Sequence, residues 1–461
     1  MSVKNRKLFK SAYYSITASI ISLFASSLSV LILPKIMNDI DYGYFQLYLF
    51  YLGFSGILLW GWNDGIYLRY GGKLYDKINK NIVGTELYIS IIFTIIQASL
   101  LAGGLINQFA SKYMVAFIII GGICSNIQSC IASIRLTTFG TKEYALPIII
   151  GRSIYLLSLI LCFVFQIADI FFVAFFELLS RIIQMIIAIF YSKELFKYIS
   201  IKKRNIMAVL LNMKIGIKIM IASISGMLIL GIVRYSISEC WSIDVFGKIS
   251  LILNVPMFFT AITNALGLVL FPYLKQIDMR RMARAYDNMK SSLTLLALLL
   301  FMMFFPLKYF MSIWLPNYID YFSYMAIIFP VFLFDTRISL LINSYLKSLR
   351  MENILLSINV LVAFVCSIYT YVFAVIFGDL FFVVLGIVIM QMIRCVIAEK
   401  YLSKRLPIKV NSDACIDFVV IVNFVVLGFL KEYGLLFFNC ILIAILYAYI
   451  KRNSLLVFRR E

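Results

Sequence analysis

Apolar runs of roughly bilayer length follow one another along almost the whole chain, and the polar loops between them are too short to hold a folded extramembrane domain. A helix rises about 1.5 Å per residue, so roughly twenty apolar residues cross the hydrocarbon layer. About fourteen such segments can be cut from the 461 residues. They include 45–66, 246–271 and 322–346, with 416–430 and 435–450 the shortest. In lipid every backbone polar group needs a partner within the protein, and runs of this length satisfy that need as helices. The chain is expected to be an all-α integral membrane protein.

Composition excludes several function classes. Residues are 63% hydrophobic and only 14% charged, whereas a soluble domain carries roughly a quarter charged residues. The net charge of +20 is parcelled into short loops between apolar runs rather than gathered on one face, so nucleic acid is not expected as a partner. Histidine is absent, which removes the commonest metal ligand and neutral-pH base. The eight cysteines form no C-x-x-C pair. No metal site, disulfide or cofactor is expected.

Orientation follows from the basic residues. Alternate loops, from the Lys4 group through Arg69, Arg135, Lys193, Lys275, Lys347 and Lys400 to Lys451, hold most of the 42 Lys and Arg. The opposite loops hold only Lys35, Lys112, Lys248, Lys308 and Lys431. Basic loops stay cytoplasmic, so both termini are expected inside the cell, with the basic start read as a retained first helix.

A weak internal repeat organises the spans. Asp41-Tyr42-Gly43-Tyr44-Phe45, read as a tight turn on Gly43, opens a run that ends at Asp64-Gly65 and Arg69. Asp244-Val245-Phe246-Gly247-Lys248 opens another that ends at Leu270-Phe271-Pro272. Six spans separate the two, so both copies share one orientation, which implies two pseudo-symmetric lobes around a central cavity. The expected division is an N-terminal lobe over 1–200 with spans one to six, a basic cytoplasmic linker over 201–214, a C-terminal lobe over 215–400 with spans seven to twelve, and two additional spans in 401–461. The linker is basic and amphipathic, suited to an anionic leaflet or simply a topology signal.

These motifs, with Gly61, Val255-Pro256, Phe305-Pro306, Trp314-Leu315-Pro316-Asn317-Tyr318, Pro330 and Asn343-Ser344-Tyr345-Leu346-Lys347, resemble the polysaccharide transporter family over nearly the whole chain. Lys248 stands where that family more often has an aromatic or small apolar residue. The resemblance is to Wzx-type O-antigen and oligosaccharide flippases of the multidrug/oligosaccharidyl-lipid/polysaccharide (MOP) superfamily, which also contains the MATE exporters. It implies a bacterial inner-membrane carrier that moves an undecaprenyl-pyrophosphate-linked oligosaccharide repeat unit to the outer leaflet for O-antigen, capsule or exopolysaccharide. It further implies membrane lipid and other polysaccharide-assembly proteins as partners, and H+ or Na+ as a coupling ion.

Charges inside spans are costly and therefore mark function or deliberate pairing. Arg181, Arg337 and Arg394 lie deepest and suit a phosphate, because a guanidinium donates two parallel hydrogen bonds. Glu177, four residues before Arg181, reads either as its self-neutralising partner or as part of a cavity. Asp335 and Arg337, two apart, face away from each other and need partners elsewhere. Arg337 is expected to matter more than Arg234; Arg152 and Arg234 lie near span ends, where a long side chain can snorkel to the interface. Asn254 and Asn264 flank the kink at Pro256. Asp64 and Arg69 close the second span, as a coupling site or a lobe contact. Serine and glycine stripes in spans one and four read as close helix packing or as a polar wall, and the tryptophans as an interfacial belt. The alternatives are a cation-coupled drug or metabolite exporter of the same superfamily, a membrane-embedded polysaccharide polymerase, glycosyltransferase or acyltransferase, and a transport-dead scaffold. No catalytic residue is assigned.

Overall fold

The computed structural model describes residues 3–70, 75, 78–105, 109, 111–138, 140–199, 202–256, 278–349, 351–406, 408 and 411–451. Every regular element among them is helical. Ten helices are long and apolar enough to cross a membrane, and twelve spans result if each of two bent pairs counts as one. Of the remaining expected spans, 416–430 appears as the shorter helix Asp417–Phe429. The other, 246–271, is described only as far as Pro256. The chain divides into two compact units, Met1–Ile224 and Ser225–Glu461.

The first unit runs α1 (Val3–Ile36), α2 (Asp39–Gly53), a 3-10 turn (Ser55–Leu59), α3 (Trp62–Tyr70), α4 (Lys80–Leu105), α5 (Lys112–Thr137), α6 (Thr141–Phe165), α7 (Ile170–Tyr191) and α8 (Lys193–Lys197). It ends within α9 (Lys203–Cys240), a continuous helix that takes in most of the expected 201–214 linker and runs on into the second unit. Within this unit α6 packs on α1 and α7, and α5 lies against α3, α4 and α7.

Capping explains where several helices begin. The Asn38 side chain accepts from the Asp41 amide at 2.7 Å, and Asp39 and Asp41 occupy the first turn of α2, where carboxylates favour the positive end of the helix dipole. Gly43 is therefore buried inside a helix rather than forming the expected turn. Asp169 caps α7 in the same way, accepting from Phe171 at 2.9 Å. The outward faces are apolar, as on α7 with Phe175, Ile186 and Phe190 exposed, while Glu177, Ser180 and Gln184 point inward. Apolar outside and polar inside is the arrangement lipid solvation demands.

Span two is broken. The chain leaves the 3-10 turn through Trp60 and Gly61 at φ 47° and 75°, and α2 and α3 diverge by 54°. Trp62, beyond the break, is 1% exposed within an apolar cluster rather than at an interface, a correction to the tryptophan reading.

The second unit contains the rest of α9, α10 (243–256), α11 (Met279–Phe301), α12 (Phe304–Trp314), α13 (Phe322–Ile328), α14 (Val331–Thr336), a π-helical turn (Arg337–Ile342), α15 (Asn343–Ser348), α16 (Glu352–Tyr371), α17 (Leu380–Ser403), α18 (Asn411–Phe429) and α19 (Tyr433–Ile450). Pro330 marks a 43° bend between α13 and α14. Phe301, Phe304, Phe329 and Phe424 interlock at centroid distances of 4.8 to 6.2 Å and hold α18 in the core. Gly247 is helical, and Lys248, the departure from the family pattern, pairs with Asp244 at 3.7 Å and lies over the rings of Tyr318 and Tyr321.

Candidate functional site

A polar cavity of about 260 Å³ opens inside the first unit. Its existence follows from the break in span two together with the small residues of α5. Gly122 faces Ser55 across the break, and the Asn126 amide donates to the Ser55 carbonyl at 2.9 Å, satisfying an acceptor left free where the regular helix ends. Ser125, Gln128 and Ser129 carry the polar wall along α5, and Gly56 borders it. The stripe read as packing or cavity wall serves both purposes. Asn63, on the far side of the break, donates to Ser129 at 2.7 Å.

Arg152 from α6 and Arg181 and Gln184 from α7 complete the lining. Gly151 makes room for them: a Cβ there would strike the Gln184 side chain and the Ser180 carbonyl, and Ser180 returns a hydrogen bond to the Gly151 carbonyl at 2.8 Å. Glu177 takes Arg181 in a bidentate pair, with Nη2 at 2.7 Å from Oε1 and Nε at 2.8 and 2.9 Å from the two oxygens. Its Oε2 also accepts from the Tyr48 hydroxyl at 2.8 Å. The third Arg181 nitrogen, Nη1, donates to Ser125. Arg152 reaches the same carboxylate at 3.7 Å only, with a quarter of its side chain accessible. Two guanidinium groups thus share one carboxylate, and the cavity lining holds no acidic residue. The surplus positive charge sits on Arg152.

The other expected residues lie elsewhere. Asp64 and Arg69 occupy the first and last turns of α3. Arg69 donates to Asn212 and to the Ala208 carbonyl, both at 3.1 Å, and stands 3.7 Å from the buried Glu86. In the second unit, Arg337 is 1% exposed and makes a bidentate pair with Asp417 of α18, supported by Thr294. Asp335 accepts from Gln391 at 2.8 Å, and Arg394 donates to Asn359 at 2.8 Å and to Gln391. Arg337 and Asp335 thus find partners on different helices. A further buried pair joins Lys290 to Glu399 at 2.7 Å, with Tyr286 donating to the same carboxylate. Asn254 accepts from Arg234 at 3.3 Å. Asn264 lies outside the described residues.

The sequence offers snorkelling as one reading of Arg152, and Glu86, Gln184 and Asp417 are not among its candidates. Gln184 was open to detection, since it lies three residues after Arg181 and seven after Glu177 on one helical face. The Arg337–Asp417 pair, 80 residues apart, left no local signal.

No protein-family model matches the chain, and no curated protein sequence matches it. Solved structures do match. The lipid II flippase MurJ in an inward closed conformation superposes with a TM-score of 0.63 at 14% identity, covering 98% of this chain and 99% of that one. An inward-facing multidrug resistance MATE transporter of the MOP superfamily gives 0.55 at 11% identity over 84% of this chain and 98% of its own. A eukaryotic MATE transporter gives 0.51 at 13% over 90% and 99%. Across nearly its whole length the chain has the all-helical membrane fold of the MOP-superfamily transporters.

Proposed function

We propose that this chain is a flippase that carries a lipid-linked oligosaccharide with an anionic phosphate or pyrophosphate linkage between the leaflets of a bacterial cytoplasmic membrane, for O-antigen, capsule or exopolysaccharide. The observation that carries this reading is the sign of charge in the cavity: two arginines against one shared carboxylate, among serine, asparagine and glutamine side chains. Moving a sugar-phosphate head group through a low-dielectric layer requires that its hydration be replaced, and guanidinium and amide donors do so. The near-complete superposition on MurJ, named for lipid II, gives the same reading a fold in which a lipid-linked head group is handled. The undecaprenyl carrier, the inward-to-outward direction and the assembly partners come with the resemblance to Wzx-type flippases. The basic alternate loops support cytoplasmic termini.

A second reading has its own support. The MATE likeness fits a cation-coupled drug or metabolite exporter. A compact acidic site would favour organic cations, and the cavity described above has the opposite polarity.

The test is a clean deletion in the source bacterium. Loss of surface polysaccharide with accumulation of the lipid-linked unit on the cytoplasmic face is the expected result, restored by the wild-type gene. Normal surface polysaccharide, with hypersensitivity to cationic drugs in its place, would overturn the flippase reading in favour of the exporter.

A further inference from the structure

Glu86 is 0% exposed on α4, flanked by Val83 and Leu87, which are buried in an apolar cluster with Trp62, Ile66 and Ile131. Its two oxygens are treated differently. Oε1 accepts from the Asn212 amide of α9 and stands 3.7 Å from Arg69 of α3, whereas Oε2 has no hydrogen-bond partner among the described residues. A carboxylate with one bare oxygen in an apolar pocket is an expensive group to keep charged, and taking up a proton removes that cost. The Arg69 side chain beside it is 30% accessible, while Glu86 itself is sealed.

What the carboxylate holds is a helix crossing. Arg69 and Asn212 tie α3 to α9, through the Asn212 side chain and the Ala208 carbonyl. There the backbones meet: a Cβ on Gly65 would collide with the Asn212 carbonyl, and one on Gly216 with the backbone of Gly61. α9 is the helix that continues past Ile224 into the second unit.

We propose that Glu86 is a proton-binding site that controls the grip of α3 on α9, and so links protonation to the helix joining the two units. Ionised, it draws Arg69 and Asn212 together; protonated, it no longer attracts Arg69, and the crossing loosens because it is left to the bonds of Arg69 with Asn212 and the Ala208 carbonyl. The other titratable groups facing it are few. Tyr70 lies beside Arg69 on α3, and Cys130 of α5 is buried in the same apolar cluster. On the α8 side, Tyr198 meets Gly84 and Lys80 rather than Glu86. Under the flippase reading this site supplies the coupling ion, but the proposal concerns the helix and does not need the substrate.

The test uses the full chain in lipid nanodiscs, wild type against Glu86→Gln, from mildly acid to mildly alkaline pH. Infrared difference spectra should show a protonated-carboxyl band that titrates in the wild type and is missing in the variant. Hydrogen exchange over 205–224 should slow several-fold as pH rises, after correction for the intrinsic pH dependence of exchange, and in Glu86→Gln should stay fast throughout. A wild-type carboxyl band unchanged in Glu86→Gln, or exchange in the variant that still follows pH as in the wild type, overturns the proposal. Cys130→Ala, which removes the nearby thiol, should leave both signals intact. Neither measurement depends on transport, so failure of the flippase reading and failure of this one are separable.

Discussion

At the scale of single residues, the buried charges sort into those already spoken for and those with capacity left. Arg337 belongs mainly to the first group: both terminal nitrogens are committed to Asp417 and Thr294 and the side chain is sealed, with Nε the one atom of the guanidinium lacking a hydrogen-bond partner among the described residues. Removing one member of such a pair strands the other, at about 3–5 kcal/mol, whereas replacing both by apolar residues of similar volume is often neutral. Arg337→Met alone should therefore lower the melting temperature of the purified protein sharply, and Arg337→Met with Asp417→Leu should recover most of it. If the double variant melts no higher than the single one, the guanidinium does more than satisfy its partner. Arg152 belongs to the second group, with one ion pair at 3.7 Å. Sequence alone showed that both arginines are intramembrane. Which was satisfied was not legible, because the decisive partners, Asp417 for one and Glu177 for the other, come from other helices, beyond the reach of spacing along one helix.

At the scale of elements, length and apolarity read well and interruptions did not. The segment expected at 435–450 appears as Tyr433–Ile450, since an apolar run of near-bilayer length has little choice but helix. The expected span 45–66 is instead broken at Trp60 and Gly61, where two successive residues take positive φ. A tryptophan in that region is not forecast by propensity, and the next residue, Gly61, lies directly against Gly216 of α9. This crossing permits a sharp prediction. A methyl group at position 216 must push two backbones apart, and overpacking of this kind costs typically about 1–3 kcal/mol. Gly216→Ala should destabilise the protein by that order in thermal melts, while Gly53→Ala and Gly103→Ala, whose added methyls meet nothing within 4 Å, should melt as wild type. Equal melting of all three would mean that the crossing has room to spare.

At the scale of the whole molecule, one fold serves unlike cargoes, as the matches to a lipid II flippase and to MATE transporters make plain. Fold alone therefore leaves the function open, and under the flippase reading proposed above the charge of the interior selects the cargo. In this chain the cavity of the first unit is cationic, with Arg152 the uncommitted donor. A charge-assisted hydrogen bond to phosphate is worth about 1.5–3 kcal/mol, so losing it should slow flipping by roughly ten- to a hundredfold if it is made mainly in the transition state. In proteoliposomes bearing a fluorescent pyrophosphate-linked glycolipid, Arg152→Ala should show that loss. Arg152→Lys should recover only part of it, since an ammonium keeps the charge without the planar fork. A glycolipid with a neutral linkage should flip slowly with wild type and Arg152→Ala alike. Equal rates for the two glycolipids in the wild type would mean that the arginines do not choose the cargo, and the cationic cavity would then be a structural feature of the first unit.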